Sequence, residues 1–77
     1  MPIKVRYFAS LKEQLGQAEA ELQAAAPLTV REVWAQINPD QPLPDAVLTA
    51  INQHYANLDS VVKDGDELAF FPPVTGG

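Results

Sequence analysis

The segment TVREVWAQINP, residues 29–39, constrains the fold of this chain more than any other. Thr29 followed three positions later by Glu32 is the pattern of a capping box, in which each side chain binds a backbone N–H at the start of a helix. Apolar residues then recur at helical spacing, at Val30, Val33, Trp34 and Ile37. Pro39 disfavours helical geometry in Asn38, so the helix ends there. The sequence therefore predicts one amphipathic helix that needs an apolar surface to pack against.

Strands are predicted on both sides of that helix. Ile3, Val5 and Tyr7 alternate with Lys4, Arg6 and Phe8, a period of two that gives a first strand one inward face. Further strands are predicted at residues 18–22, 47–52 and 67–71, with a short one around Tyr55. Ser10 and Glu13 form a second capping-box pattern for a short helix that runs through Leu15 and ends at Gly16. The sequence DGD, residues 64–66, is typical of a turn in which Gly65 adopts a positive φ.

This order of elements predicts an α+β fold with a mixed sheet packed on one principal helix. A parallel pairing of the first and last strands would bury Ile3, Val5, Leu68 and Phe70 against Val33 and Trp34. Such an arrangement is a β-grasp domain, predicted here for residues 1–71. Residues 72–77 are predicted to form a flexible carboxy-terminal tail.

Composition excludes several classes of function. The chain has 77 residues, a net charge of −5 and no cysteine. Its five cations are dispersed along the sequence rather than clustered, so no nucleic acid partner is expected. A thiolate metal site is impossible, and His54 is the single histidine, so it is interpreted as a solvated loop residue. No apolar run is long enough to span a bilayer and no signal peptide is recognisable, so we expect a cytoplasmic protein without a membrane partner.

The sequence DGDELAFFPPVTGG, residues 64–77, resembles the carboxy-terminal signature of the small subunits of molybdopterin synthase, which are ubiquitin-like sulfur carriers. The resemblance extends to IKVRYFASLKEQLG, which is similar to that family's first strand and short helix, to TVREVWAQI, similar to its main helix, and to AINQ, similar to its third strand. It covers most of the chain. A terminal Gly-Gly alone is a weak signal, whereas the complete tail is specific.

The resemblance implies a chemical role for the terminal carboxylate of Gly77. An E1-like adenylating enzyme would activate it with ATP, and a sulfur donor would then convert it to a thiocarboxylate. The sulfur would pass to a cyclic pyranopterin phosphate on the large subunit of molybdopterin synthase, in molybdenum cofactor biosynthesis. The resemblance also implies a heterotetramer, no cofactor bound by this chain, and a non-catalytic sulfur-donor subunit of a transferase complex.

The residues of the tail suit this role. The stretch from Pro72 to Gly77 spans about 20 Å when extended, which is enough to enter a partner's active site. The tail residues predicted to lie in the partner's channel are Pro72, Pro73, Val74, Thr75 and Gly76. Proline restricts the stem of the tail, and glycine without a Cβ passes through a narrow opening. We also predict that the acidity of Asp64, Asp66 and Glu67 steers the tail toward a basic groove.

Strand alternation separates the two aromatic residues that precede the tail. Phe70 shares the inward face with Leu68 and is predicted to lie in the core. Phe71 points outward, near Phe8 of the neighbouring strand, so the two are predicted to form a partner-binding patch.

Four alternative interpretations stay open at the level of sequence. The terminus is frayed and without function, the chain is a sulfur carrier for thiamine thiazole synthesis, it modifies proteins through isopeptide bonds at Gly77, or it is a ubiquitin-like interaction module that is never activated. The protein that co-purifies with the chain would distinguish these alternatives.

Overall fold

The computed structural model of this protein describes residues 1–44 and 46–73. Within these residues the elements in chain order are β1 (Ile3–Tyr7), α1 (Ala9–Leu15), β2 (Glu19–Leu22), β3 (Leu28–Thr29), α2 (Val30–Ile37), β4 (Leu48–Ile51), β5 (His54–Ala56), β6 (Val61–Val62) and β7 (Glu67–Phe71). A five-stranded sheet has the order β2-β1-β7-β4-β5, and β3 pairs with β6 in a second, two-stranded sheet.

The five-stranded sheet is mixed, as predicted. The first and last strands, β1 and β7, lie side by side and run parallel, with Val5 opposite Leu68 and Tyr7 opposite Phe70. The other pairings in this sheet are antiparallel. The α+β fold with a β-grasp arrangement is therefore confirmed.

The core lies between this sheet and α2. Ile3, Val5, Leu68 and Phe70 are completely buried and form one cluster with Val33 and Trp34 of the helix. The rings of Trp34 and Phe70 meet edge to face, with centroids 5.0 Å apart. Trp34 Nε1 donates a hydrogen bond of 2.9 Å to the carbonyl of Gln41, which ties the loop after α2 to the core. The predicted inward face of the sheet is thus confirmed.

Both ends of α2 are satisfied by side chains. Glu32 N donates to Thr29 Oγ1 at 3.1 Å, and Thr29 N donates to Glu32 Oε1 at 2.8 Å, which confirms the capping box. At the other end, Asn38 Nδ2 donates to the hydroxyl of Tyr7 at 3.1 Å. Burial raises the pKa of Tyr7, and this hydrogen bond partly offsets the rise. The helix is therefore linked to β1 through a buried polar pair.

The capping box predicted at Ser10 is wrong. Phe8 occupies the N-cap of α1 in an extended conformation, and no side chain caps this helix. Phe8 stays extended because its N–H donates to the carbonyl of Phe70 at 3.2 Å, continuing the pairing of β1 with β7. The chain then turns at Ala9, which has a φ of 52°, so that Ser10 already lies inside the helix. The predicted end at Gly16 is confirmed, with a φ of 73°.

The sequence did not predict the second sheet, and it overestimated one strand. Each strand of the second sheet has two residues, with Leu28 opposite Val62, and two residues are too short to show an alternating pattern. The strand predicted at residues 47–52 is shorter because Asn52 begins a two-residue hairpin turn, with φ values of 51° at Asn52 and 71° at Gln53. In the described part of the chain, no helix is long and apolar enough to cross a membrane.

Candidate functional site

The candidate site lies on the outer face, defined here as the side of the five-stranded sheet that is turned away from α2. Phe8, directly after β1, and Phe71, at the end of β7, both project from this face. Their rings stack with centroids 4.8 Å apart and planes within 10° of parallel. Phe8 is 37% exposed, and Phe71 is partly buried. The predicted outward aromatic pair is therefore present in the structure.

Further apolar side chains on the neighbouring strands extend this pair. Leu48, 38% exposed, lies opposite Phe71 in the β4–β7 register. Tyr55 on β5 is 85% exposed. Between Tyr55 and Phe71 the small side chain of Ala50 leaves a depression of about 260 Å³, whose rim includes Gln53. We call Phe8, Leu48, Tyr55 and Phe71 the apolar patch.

Sequence analysis did not find Leu48 or Tyr55. The alternation of β4 and β5 shows which residues share a face, but it does not show which face is turned away from the helix. That assignment depends on the pairing of Leu48 with Phe71 and of Ala50 with Tyr55, which only the structure provides.

Charged side chains adjoin the patch. The guanidinium carbon of Arg6 lies 5.9 Å from the centre of the Phe8 ring, and Arg6 forms an ion pair of 3.8 Å with Glu67. Arg6 and Lys12 line a second depression of about 220 Å³ beside Phe8. Interface centres bury aromatic groups while charged groups surround them, and this face has the same organisation.

The tail begins directly beside the patch. β7 ends at Phe71, Pro72 is partly buried, and Pro73 is exposed. The remaining predicted tail residues, Val74, Thr75, Gly76 and Gly77, lie outside the described residues. A protein that covers the apolar patch is thus in contact with the last strand at the point where the tail leaves it.

The three carboxylates that were predicted to steer the tail have other contacts. Asp64 Oδ1 accepts a hydrogen bond of 3.0 Å from the backbone N–H of Ala24, and Glu67 pairs with Arg6. Asp66, 8% exposed, accepts hydrogen bonds from Lys63 N and Asn52 Nδ2, each 3.0 Å long. All three lie at or before the start of β7, at the opposite end of the strand from Pro72. The predicted turn is confirmed, with a φ of 94° at Gly65, but this position does not suit steering of the tail.

The described residues offer no arrangement for acid–base or metal chemistry. None of them forms a group of three or more His, Cys, Asp or Glu side chains that could hold a metal ion. His54 is exposed at the edge of the sheet. The apolar patch is therefore a candidate binding surface, and any reacting group has to be sought in the tail.

Comparison with known proteins agrees with this geometry. The profile of the ThiS family matches residues 5–77 of the sequence. The chain belongs to the ThiS family. Two curated relatives have the name molybdopterin synthase sulfur carrier subunit. The one from Haemophilus influenzae is 42% identical over 97% of this chain and 99% of its own length. The one from Escherichia coli is 40% identical, with the same coverage of 97% and 99%.

Solved structures show the same fold as this ThiS family member. SAMP1 from Haloferax volcanii superimposes with a TM-score of 0.78 at 28% identity, over the full length of both chains. The complex of subunits 1 and 2 of the molybdopterin-converting factor from Helicobacter pylori contains a chain that matches with a TM-score of 0.66 and 28% identity, again over both full lengths. The predicted ubiquitin-like fold and the predicted family are both confirmed.

Proposed function

We propose that this protein is the sulfur carrier subunit of molybdopterin synthase. The observation that carries the proposal is the position of the Phe8–Phe71 pair at the root of the tail, in a chain that matches sulfur carrier subunits over nearly its whole length. The pair provides a docking surface, and Gly77, the last residue of the sequence, provides the reacting group.

The proposed reaction uses the carboxylate of Gly77. One carboxylate oxygen attacks the α-phosphate of ATP on an E1-like enzyme, which forms an acyl adenylate and releases pyrophosphate. A persulfide or sulfide donor then displaces AMP, so that a C–S bond replaces the C–O bond. The thiocarboxylate transfers its sulfur to a cyclic pyranopterin phosphate on the large subunit. This chain contributes the acyl group and the docking surface, and its partners contribute the acid–base groups.

The large subunit is the partner that best explains the apolar patch. Four exposed or partly exposed apolar side chains on one face of so small a domain are typical of an interaction surface. The likeness to a subunit of the Helicobacter pylori complex supports a partner of this kind. The activating enzyme, the cytoplasmic location and the role of Pro72–Gly77 in a partner's channel stay predictions.

Mass spectrometry tests the proposal. The chain is incubated with the E1-like enzyme, ATP and a sulfur donor, and the carboxy-terminal peptide is analysed. We expect the mass difference of sulfur for oxygen in that peptide, followed by its loss when the large subunit and the pterin substrate are added. An unchanged mass in the presence of an active E1-like enzyme would contradict the sulfur carrier role.

A second function, protein modification, is favoured by one observation. The full-length likeness to SAMP1, whose other structure is titled small archaeal modifier protein 1, includes 28% identity. If the chain modifies proteins, the same reaction with cell extract should give lysine adducts that contain the carboxy-terminal peptide. We expect thiocarboxylate without such adducts.

A further inference from the structure

Charge is distributed unevenly between the two sides of this domain. Six charged residues belong to the outer face or its border, namely Lys4, Arg6, Lys12, Glu19, Glu21 and Glu67. Their charges cancel. The net charge of −5 therefore resides entirely in the rest of the chain. Sequence analysis described the cations as dispersed, whereas the fold brings three of the five to one face.

On the outer face the acidic and basic side chains are not equally available. Glu67 is occupied by Arg6 at 3.8 Å, and its side chain is 35% exposed. Glu19 and Glu21 lie on β2, the edge strand, two strands away from Phe71. Lys12 is exposed, lines the depression beside Phe8, and forms no ion pair with any residue that the structure describes. The border of the apolar patch nearest to Phe8 is therefore basic.

We infer that Lys12 and Arg6 form a basic rim for the apolar patch, and that the partner's docking surface carries carboxylates opposite this rim. The inference rests on the proposed function, under which the partner is the large subunit. It differs from the expectation that the net charge alone would give, because a chain of charge −5 should prefer a basic partner. Like charges at the rim would suppress wrong partners, and opposite charges would fix the docking register.

A charge-matched pair of variants tests the inference. Lys12→Glu and Arg31→Glu change the net charge by the same amount, but Arg31 lies on α2, on the other side of the sheet. Arg31 pairs only with the exposed Asp59, at 3.6 Å. Binding of each variant to the large subunit is measured by calorimetry at about 0.05 M and about 0.5 M salt, which moves the Debye length from about 14 Å to about 4 Å.

We expect Lys12→Glu to weaken binding about fivefold at low salt, with less effect at high salt. Arg31→Glu should stay within about twofold of the wild type. Lys12→Gln should lie between wild type and Lys12→Glu, and Arg6→Gln should also weaken binding. Thermal melts of all variants check that the fold is retained.

Two results overturn the inference and leave the proposed function intact. In the first, wild-type binding is normal and Lys12→Glu and Arg31→Glu have equal effects, so only the net charge matters. In the second, Lys12→Glu binds more tightly than wild type, which indicates a basic partner surface. If the wild-type chain does not bind the large subunit at all, the proposed function and the inference fail together.

Discussion

The ring of Phe8 stacks on the ring of Phe71 across two parallel strands, with centroids 4.8 Å apart. Phe70, one residue earlier, points to the opposite side of the sheet and is completely buried. Two adjacent phenylalanines of β7 thus have different surroundings. One belongs to the core and the other to a surface that ends where the tail begins, so substitutions at the two positions should have separable effects.

We predict that Phe70→Ala destabilises the fold by about 3 to 5 kcal/mol, because it removes a buried ring and leaves a cavity beside Trp34. Phe71→Ala should leave the fold intact and weaken binding to the large subunit by about 1 to 4 kcal/mol, as for an aromatic anchor at an interface. Chemical denaturation and calorimetric titration measure the two effects. If Phe71→Ala unfolds the domain while Phe70→Ala does not, the assignment of the two faces is wrong.

Alternation and capping patterns predicted most of this fold because they act within one or two turns or strands. They identified α2 with its capping box, the inward face of β1 and β7, and the outward pair Phe8–Phe71. They failed where a long-range pairing decides the local structure. Phe8 caps α1 because it continues the β1–β7 pairing, and no local signal at Ser10 could show this.

The hairpin turn between β4 and β5 gives a prediction about stability. Gln53 has a φ of 71°, a conformation that costs a residue with a Cβ about 1 to 2 kcal/mol. Glycine adopts it without that cost but loses more entropy on folding. We therefore expect Gln53→Gly to stabilise the fold by about 0.5 to 1 kcal/mol.

The matched control is Gln36→Gly, at an exposed position of α2. Glycine in a helix should destabilise the protein by about 1 kcal/mol. Urea denaturation measures both variants. Equal destabilisation by the two substitutions would show that the turn at Gln53 does not strain the chain.

The hydrogen bonds of Asp66 predict how stability depends on pH. The backbone N–H of Lys63, and then the side chain of Asn52, hold the pKa of Asp66 below its usual value. Because the pKa is lower in the folded state, the carboxylate stabilises the fold at every pH above its unfolded pKa of about 3.9. This contribution is lost as the pH falls through the folded pKa.

We expect Asp66→Asn to lower the melting temperature at pH 7 and to flatten the acid limb of the stability curve below about pH 4. Asp40→Asn is the control, because Asp40 is exposed and accepts no side-chain hydrogen bond within the described residues. Thermal melts between about pH 2 and pH 7 provide the comparison. Two variants with the same acid limb as the wild type would mean that Asp66 does not contribute to acid sensitivity.

The outer face shows a second limit of the sequence. Lys4, Arg6 and Lys12 are dispersed along the chain, and only the pairing of β1 with β2 and the return of the chain at Ala9 place them on one side of the domain. Tyr55 joins the apolar patch through its pairing with Ala50. Composition gives the net charge, but the distribution of that charge over the surface depends on topology.

The last prediction concerns Gly76, which carries no reacting atom, lies outside the described residues and precedes the reacting Gly77. Gly76→Val adds a branched Cβ, which widens the chain and excludes positive φ. Under the proposed function this residue enters a partner's channel, so a small displacement of the terminal carboxylate should strongly reduce thiocarboxylate formation, pterin conversion or both. The melting temperature and the affinity for the large subunit should stay close to the wild-type values, because Phe8 and Phe71 are unchanged. Mass spectrometry and a pterin conversion assay measure the loss, with Gly76→Ala as the smaller step. A Gly76→Val variant that is activated and turns over like the wild type would show that the channel does not require glycine at this position.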